Sequence, residues 1–188
     1  QELIVYALTR NGRLETTNRV HVTAEVAGRL EVVGQSEELA KGERIMSSRF
    51  IEDRGYVVTF RQVDPLYTLD LSDPRLPRVA GELKVPGFST YLHPIGPGIL
   101  LGIGRDADEI SGQVRGLKLS TLDISAPAAP REIHTLTLAG DIWTEAQWDH
   151  RAFTWHATRG VLGIPTASWG TMPDGTWVTR QYVTTLDR

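Results

Sequence analysis

Val63-Asp64-Pro65-Leu66-Tyr67-Thr68-Leu69-Asp70-Leu71-Ser72-Asp73-Pro74-Arg75-Leu76-Pro77-Arg78-Val79-Ala80-Gly81-Glu82-Leu83 decides how this chain folds. Leu66, Thr68 and Asp70 alternate against Tyr67, Leu69 and Leu71, the period of a strand. Ser72-Asp73-Pro74 ends that strand, because short polar side chains bond nearby backbone N–H groups and proline fixes φ. Pro77 opens the next strand, where a missing N–H is tolerated. A second copy, Leu122-Asp123-Ile124-Ser125-Ala126-Pro127-Ala128-Ala129-Pro130-Arg131-Glu132-Ile133, follows about fifty residues later. It keeps the Leu, the Asp, the Ser, both prolines and the closing Arg in order. Self-similarity at that period belongs to repeat architectures.

The same grammar extends in both directions. Arg49-Phe50-Ile51 and Tyr56-Val57-Val58-Thr59-Phe60 flank Glu52-Asp53-Arg54-Gly55, a hairpin expected to bend at its glycine. Before it, residues 3–8, 20–24 and 30–33 read as short strands, with turns at Asn11-Gly12 and Gly28. Residues 36–41, closed by Gly42, read as one helical turn with a glycine cap. After it, Tyr91-Leu92-His93 and Ile99-Leu100-Leu101-Gly102-Ile103 flank a Pro- and Gly-rich bend, and further strands are expected at 133–138, 152–155, 161–165 and 177–183. No window carries apolar residues at helical spacing over the length an amphipathic helix needs. The expected fold is therefore all-β: a β-propeller of about three to four four-stranded antiparallel blades. A single propeller domain, or a fragment of one, spans 1–188, with blades at 1–41 (partial), 42–86, 87–139 and 140–188 (partial). A sandwich, the rival all-β answer, does not predict the internal repeat.

Composition narrows the function classes. The 188 residues suffice for one domain with a real core, and 40% hydrophobic with 23% charged content fits a globular protein. A formal charge of -3 offers no basic field for nucleic acid. No apolar run is long enough to span a bilayer. The absence of cysteine removes disulfides, thiolate metal sites and cysteine nucleophiles. The sequence opens at Gln1 without a signal-peptide pattern, which reads as a piece of a longer precursor.

The chain resembles the bacterial and archaeal family of secreted proteins with a C-terminal β-propeller distantly related to WD40 repeats. The resemblance rests on Gly42-Glu43-Arg44-Ile45 with Arg49-Phe50, on the run from Tyr56 to Tyr67, and on Gly81-Glu82-Leu83-Lys84-Val85-Pro86-Gly87-Phe88-Ser89. It continues through Tyr91-Leu92-His93-Pro94, Leu101-Gly102-Ile103-Gly104, Asp149-His150 and Ala152-Phe153, covering residues from about 30 to 165. It implies a propeller and an exported or cell-surface location, and it implies no reaction. Members of that family are considerably longer. Three or so blades leave sheet faces and edges uncovered, so further blades or self-association is expected to complete the ring.

Several residues invite chemistry. His93, Asp149 and His150 near successive blade starts would suit a divalent cation such as Ca²⁺ or Zn²⁺, although no dense ligand motif is present. Asp106-Ala107-Asp108-Glu109 opens like a calcium loop, but Ile110 and Ser111 stand where an EF-hand needs a ligand and then glycine. A solvated loop, with Asp106 and Asp108 available to a ligand, is the plainer reading. Gly87-Phe88-Ser89 is only half of a nucleophile elbow, and no helix follows it. All five tryptophans lie in the last third, where Trp143 and Trp148 would make either a ligand platform or packing between blades.

Two hypotheses follow. The first is a non-enzymatic extracellular binding or scaffolding module without a cofactor, presenting loops to a protein or polysaccharide partner. The second is a metal-binding or hydrolytic enzyme built on His93, Asp149 and His150.

Overall fold

Tyr56, Val57 and Val58 are three consecutive large side chains, and all three are buried because their strand is covered on both faces. The computed structural model describes residues 2–10, 14–60, 64–108, 111, 113–171 and 177–186. Among them, strands form four antiparallel sheets that follow one another along the chain. The first holds β1 (Glu2–Arg10), β2 (Leu14–Val26) and β3 (Arg29–Gln35) in the order β1-β2-β3. The second holds β4 (Arg44–Ile51), β5 (Arg54–Phe60), β6 (Asp64–Asp70) and β7 (Arg78–Val85) in sequence order. The third repeats that meander with β8 (Phe88–Gly96), β9 (Ile99–Ala107), β10 (Val114–Asp123) and β11 (Arg131–Leu138).

The fourth departs from it. β12 (Ile142–Trp143) and β13 (Thr154–His156) both pair with β14 (Val161–Thr171), at Ala167 to Ser168 and at Val161 to Gly163 respectively. β15 (Trp177–Leu186) pairs with β14 from Leu162 to Thr171, so β12 and β13 share the other edge as one interrupted strand. Two 3-10 turns, Glu145–Gln147 and His150–Ala152, fill the interruption.

Three apolar clusters cement the stack. Val57, Leu69 and Leu71 meet Val20 of the first sheet. Tyr56, Val58 and Leu66 face the other way, onto Leu92, Leu100 and Leu122 of the third sheet. Leu101, Ile103, Leu117 and Leu119 then pack on Leu162 and Ile164 of the fourth. Adjacent residues of β5 and β9 thus serve opposite interfaces, as a period of two requires. Burial of one such side chain contributes about 1.5–3 kcal/mol, and each interface holds several. The sheets are blades of a propeller, and the array described is open: its main inter-sheet contacts run between consecutive sheets.

The proline-punctuated stretches are lids between blades. Asp70 accepts a hydrogen bond from the Ser72 N–H at 3.1 Å and is gripped by Arg78 at 2.9 Å. Asp123 does the same with Ser125 at 3.0 Å and Arg131 at 2.6 Å. Each loop so shaped lies against the outer strand of the preceding blade. A Cβ on Gly34 of β3 would run into the Pro74 carbonyl and come within 2.9 Å of Arg75 backbone. A Cβ on Gly81 of β7 would meet Pro127 and come within 2.9 Å of Ala128. The buried Thr68 hydroxyl donates to the Pro127 carbonyl across this seam. Gly34, Gly81 and His134 hold equivalent places, opposite Val22, Thr68 and Thr121 beside a register shift in each sheet.

Two turns differ from the sequence reading. Residues 36–41 form no helical turn: Leu39 bridges to Asn18, and the buried Asn18 amide lies 3.0–3.3 Å from the carbonyls of Leu39, Ala40 and Glu43. A six-residue segment gains too little from its own hydrogen bonds to stay helical against such tertiary partners. The bend after β4 falls at Glu52-Asp53, with Glu52 at φ 53°. Gly55 lies inside β5, where a Cβ would strike the Phe50 ring at 2.9 Å. The Asn11-Gly12 turn lies outside the described residues.

Candidate functional site

Trp148 is 67% exposed, which for the largest side chain in the protein needs explaining. The first 3-10 turn holds it in place. Thr144, fully buried, caps that turn by accepting from the Ala146 N–H at 3.2 Å and donates to the Pro165 carbonyl at 2.5 Å. The Trp148 N–H then bonds the Glu145 carbonyl at 3.0 Å. This geometry lays the Trp148 ring on Trp143, with centroids 5.8 Å apart and planes 20° from parallel. A stacked pair of this kind is worth roughly 0.5–1.5 kcal/mol beyond burial.

The pair forms one wall of a groove of about 610 Å³. The opposite wall comes from the first residues of β4 and β8, Arg44 to Met46 with Phe88 and Thr90, which run side by side and are tied by Ser47 Oγ donating to the Ser89 carbonyl at 2.7 Å. Phe88 is braced by Phe60, centroids 4.5 Å apart. Arg105 reaches across from β9 and donates from Nη1 to the Ile142 carbonyl at 2.6 Å, joining the third blade to the fourth beside Trp143. Among the described residues no carboxylate lines this groove, and neither Arg44 nor Arg105 has an acidic partner. The groove is aromatic and cationic. That pairing of features has the chemistry to suit a flat, hydroxylated or anionic ligand.

The metal candidates do not converge. His93, on β8, packs on Phe153 with centroids 4.4 Å apart, and its Nδ1 lies 3.2 Å from the Tyr91 hydroxyl. Burial, with Arg49 nearby, pushes its pKa below the ordinary histidine value. Asp149 caps the second 3-10 turn and binds Arg151 at 3.1 and 3.2 Å, which holds its carboxyl below the usual range. His150 is exposed in that turn. Among the described residues no three His, Asp or Glu side chains form a group able to hold a metal ion.

Asp108 organises the turn after β9. It accepts from the Ser111 N–H at 2.8 Å and hydroxyl at 3.0 Å, and pairs with Arg115. Asp106, opposite Arg115 in the ladder, lines a shallow cavity with Arg105 and Asp141. Glu109, Ile110 and Gly112 lie outside the described residues. Of the other tryptophans, Trp155 joins the core between the third and fourth blades, Trp169 is exposed, and the side chain of Trp177 lies outside the described residues. A further cavity of about 470 Å³ lies before His134, with Ile133, Leu136 and Trp155 in its wall.

The family model described as a beta propeller domain matches residues 3–187. The chain belongs to the beta propeller domain family. It is 43% identical over 127 residues to an uncharacterized protein of Methanocaldococcus jannaschii, a match covering 68% of this chain and 19% of that protein. It is 42% identical over 123 residues to an uncharacterized protein of Archaeoglobus fulgidus, covering 65% of this chain and 19% of that protein. The matched part of the chain thus spans about a fifth of the length of these relatives. Arg44, Phe88, Arg105 and Gln147 complete the groove without having signalled themselves in sequence, because only the packing of β4, β8 and β9 against the fourth blade assembles them.

Proposed function

We propose that this propeller is a non-enzymatic binding module of an exported or cell-surface protein, and that it holds a polymer or protein partner in the Trp143–Trp148 groove. The pre-stacked indole pair, with Trp148 exposed and Trp143 half-buried beneath it, carries the reading. An indole left 67% open to water exposes apolar area that a partner's burial would stabilise. The capped turn and the Arg105 crosslink fix the pair before any partner arrives, so little ordering entropy opposes binding. The exported location is supported by the resemblance to the secreted, distantly WD40-like family. The decisive experiment is capture of surface polymers and envelope proteins by the full-length protein and by its Trp148→Ala variant. Loss of capture by a variant that still folds and melts cooperatively supports the module. Equal capture by both proteins overturns it.

A further inference from the structure

We propose that the groove selects an acidic polysaccharide, stacking one sugar ring on Trp148 and binding carboxylates at Arg44 and Arg105. This deepens the binding-module reading and rests on it. Trp143 covers one side of the Trp148 ring, and the exposure of Trp148 leaves the other available. An aromatic face is electron-rich, so it attracts the C–H groups on the flat side of a pyranose ring.

The arginines supply the selectivity. A guanidinium has five donors in a planar fork that fits a carboxylate in two bonds. The Ile142 carbonyl engages Arg105 through Nη1, which fixes the side chain, and among the described residues no ion pair takes its other donors. Arg44 is exposed at the start of β4, and among the described residues no acidic side chain lines the groove. The whole chain carries a formal charge of -3, so this is a local reversal of sign and not part of a general basic surface. A neutral glycan would use the indole and leave both guanidinium groups without an ionic partner. An acidic peptide would satisfy the arginines but has no rigid flat face for the indole. An acidic sugar polymer uses both, and the Gln147 amide in the same wall is of the right kind to bond a ring hydroxyl.

The test is calorimetric titration of the full-length protein with oligogalacturonate and with its methyl ester, which keeps the rings and removes the charge. The acid should bind about tenfold tighter than the ester or better, as expected for charge-assisted hydrogen bonds. That advantage should shrink as salt rises from about 0.05 to 0.5 M. Arg44→Gln should remove most of the advantage, Arg105→Lys should reduce it, and Trp148→Ala should weaken acid and ester alike, with melting temperatures confirming that each variant folds. Equal affinity for acid and ester overturns the acidic class and leaves the platform intact. Binding of neither overturns the polysaccharide inference, and the capture experiment with Trp148→Ala then judges the module separately. Polyglutamate bound as tightly as oligogalacturonate, and unaffected by Trp148→Ala, overturns it in favour of an acidic protein.

Discussion

Replacing Gly81 by Ala should destabilise the protein, although the substitution is often benign. Gly81 has no positive φ, so an alanine strains no backbone there, and the loss of unfolded-state freedom alone would stabilise by about 0.4–1 kcal/mol. Packing reverses the sign. The new methyl would run into the Pro127 carbonyl and stand 2.9 Å from Ala128 backbone atoms. Backbone cannot rotate away as a side chain tip can. The loop over the seam must lift, which costs about 1–3 kcal/mol as overpacking. Lifting also parts the buried Thr68 hydroxyl from the Pro127 carbonyl and leaves it the Gly81 carbonyl, 3.2 Å away, as its remaining acceptor, at about 0.5–1.5 kcal/mol for one net hydrogen bond. The net loss expected is about 2 kcal/mol, a fall of about 4–8 °C in melting temperature for a chain of this size. Urea denaturation of wild type, Gly81→Ala and Gly96→Ala checks it. A Cβ at Gly96 meets nothing within 4 Å, so that variant should match wild type or exceed it slightly. A Gly81→Ala protein as stable as Gly96→Ala would refute the account of the proline loops as close-fitting lids.

Two predictions concern pH. Hydrogen bonds from Ser125, then Arg131, hold the Asp123 carboxyl down at about 2, and Ser72 and Arg78 hold Asp70 below its usual range. A depressed carboxyl pKa means that the folded state binds fewer protons, so this contribution is present above about pH 4 and is lost as pH falls through the folded value. Acid melts should therefore decline between about pH 4 and 2, and Asp123→Asn should flatten that decline; an unchanged slope in the variant would contradict it. His93 titrates below its ordinary value through burial, then the Arg49 charge. Its contribution is present above about pH 6.5 and lost as pH falls below it. The melting temperature of wild type should fall relative to that of His93→Phe as pH is lowered from about 7.5 to about 5. Parallel curves would show that His93 is already exchanging protons freely in the fold.

The strands and the repeat were legible because a period of two and a proline-ended turn are written in neighbouring residues. Asp70-Leu71-Ser72 and Asp123-Ile124-Ser125 even carry their own side-chain-to-backbone bonds two residues apart. What those loops cover was not legible. Gly34 and Pro74 are forty residues apart in sequence, roughly one blade period, and only stacking of the blades brings them together. The helical turn expected at residues 36–41 failed for the related reason that Asn18, from a different strand, claims its carbonyls. The indole pair was visible as a cluster, yet its stacking depends on the Thr144 cap, and the two groove arginines come from separate blades. Thr185-Leu186-Asp187 repeats Thr68-Leu69-Asp70 and Thr121-Leu122-Asp123 in sequence. Leu186 stands opposite Leu162 just as Leu122 stands opposite Leu100, a third copy that register makes plain.

The most direct test of the proposed module is one pair of binding isotherms, wild type and Trp148→Ala, against whatever surface polymer or protein the full-length molecule captures. Trp148 is 67% exposed, so its removal mainly loses the stack on Trp143, roughly 0.5–1.5 kcal/mol, and should lower melting by about 1–6 °C while leaving the protein folded. Affinity should fall at least tenfold, since an exposed aromatic anchor that a partner buries is typically worth about 2 kcal/mol or more. Unchanged affinity would contradict the account, and unchanged affinity with a clear loss of stability would mean that the stacked indoles serve only the packing of the fourth blade.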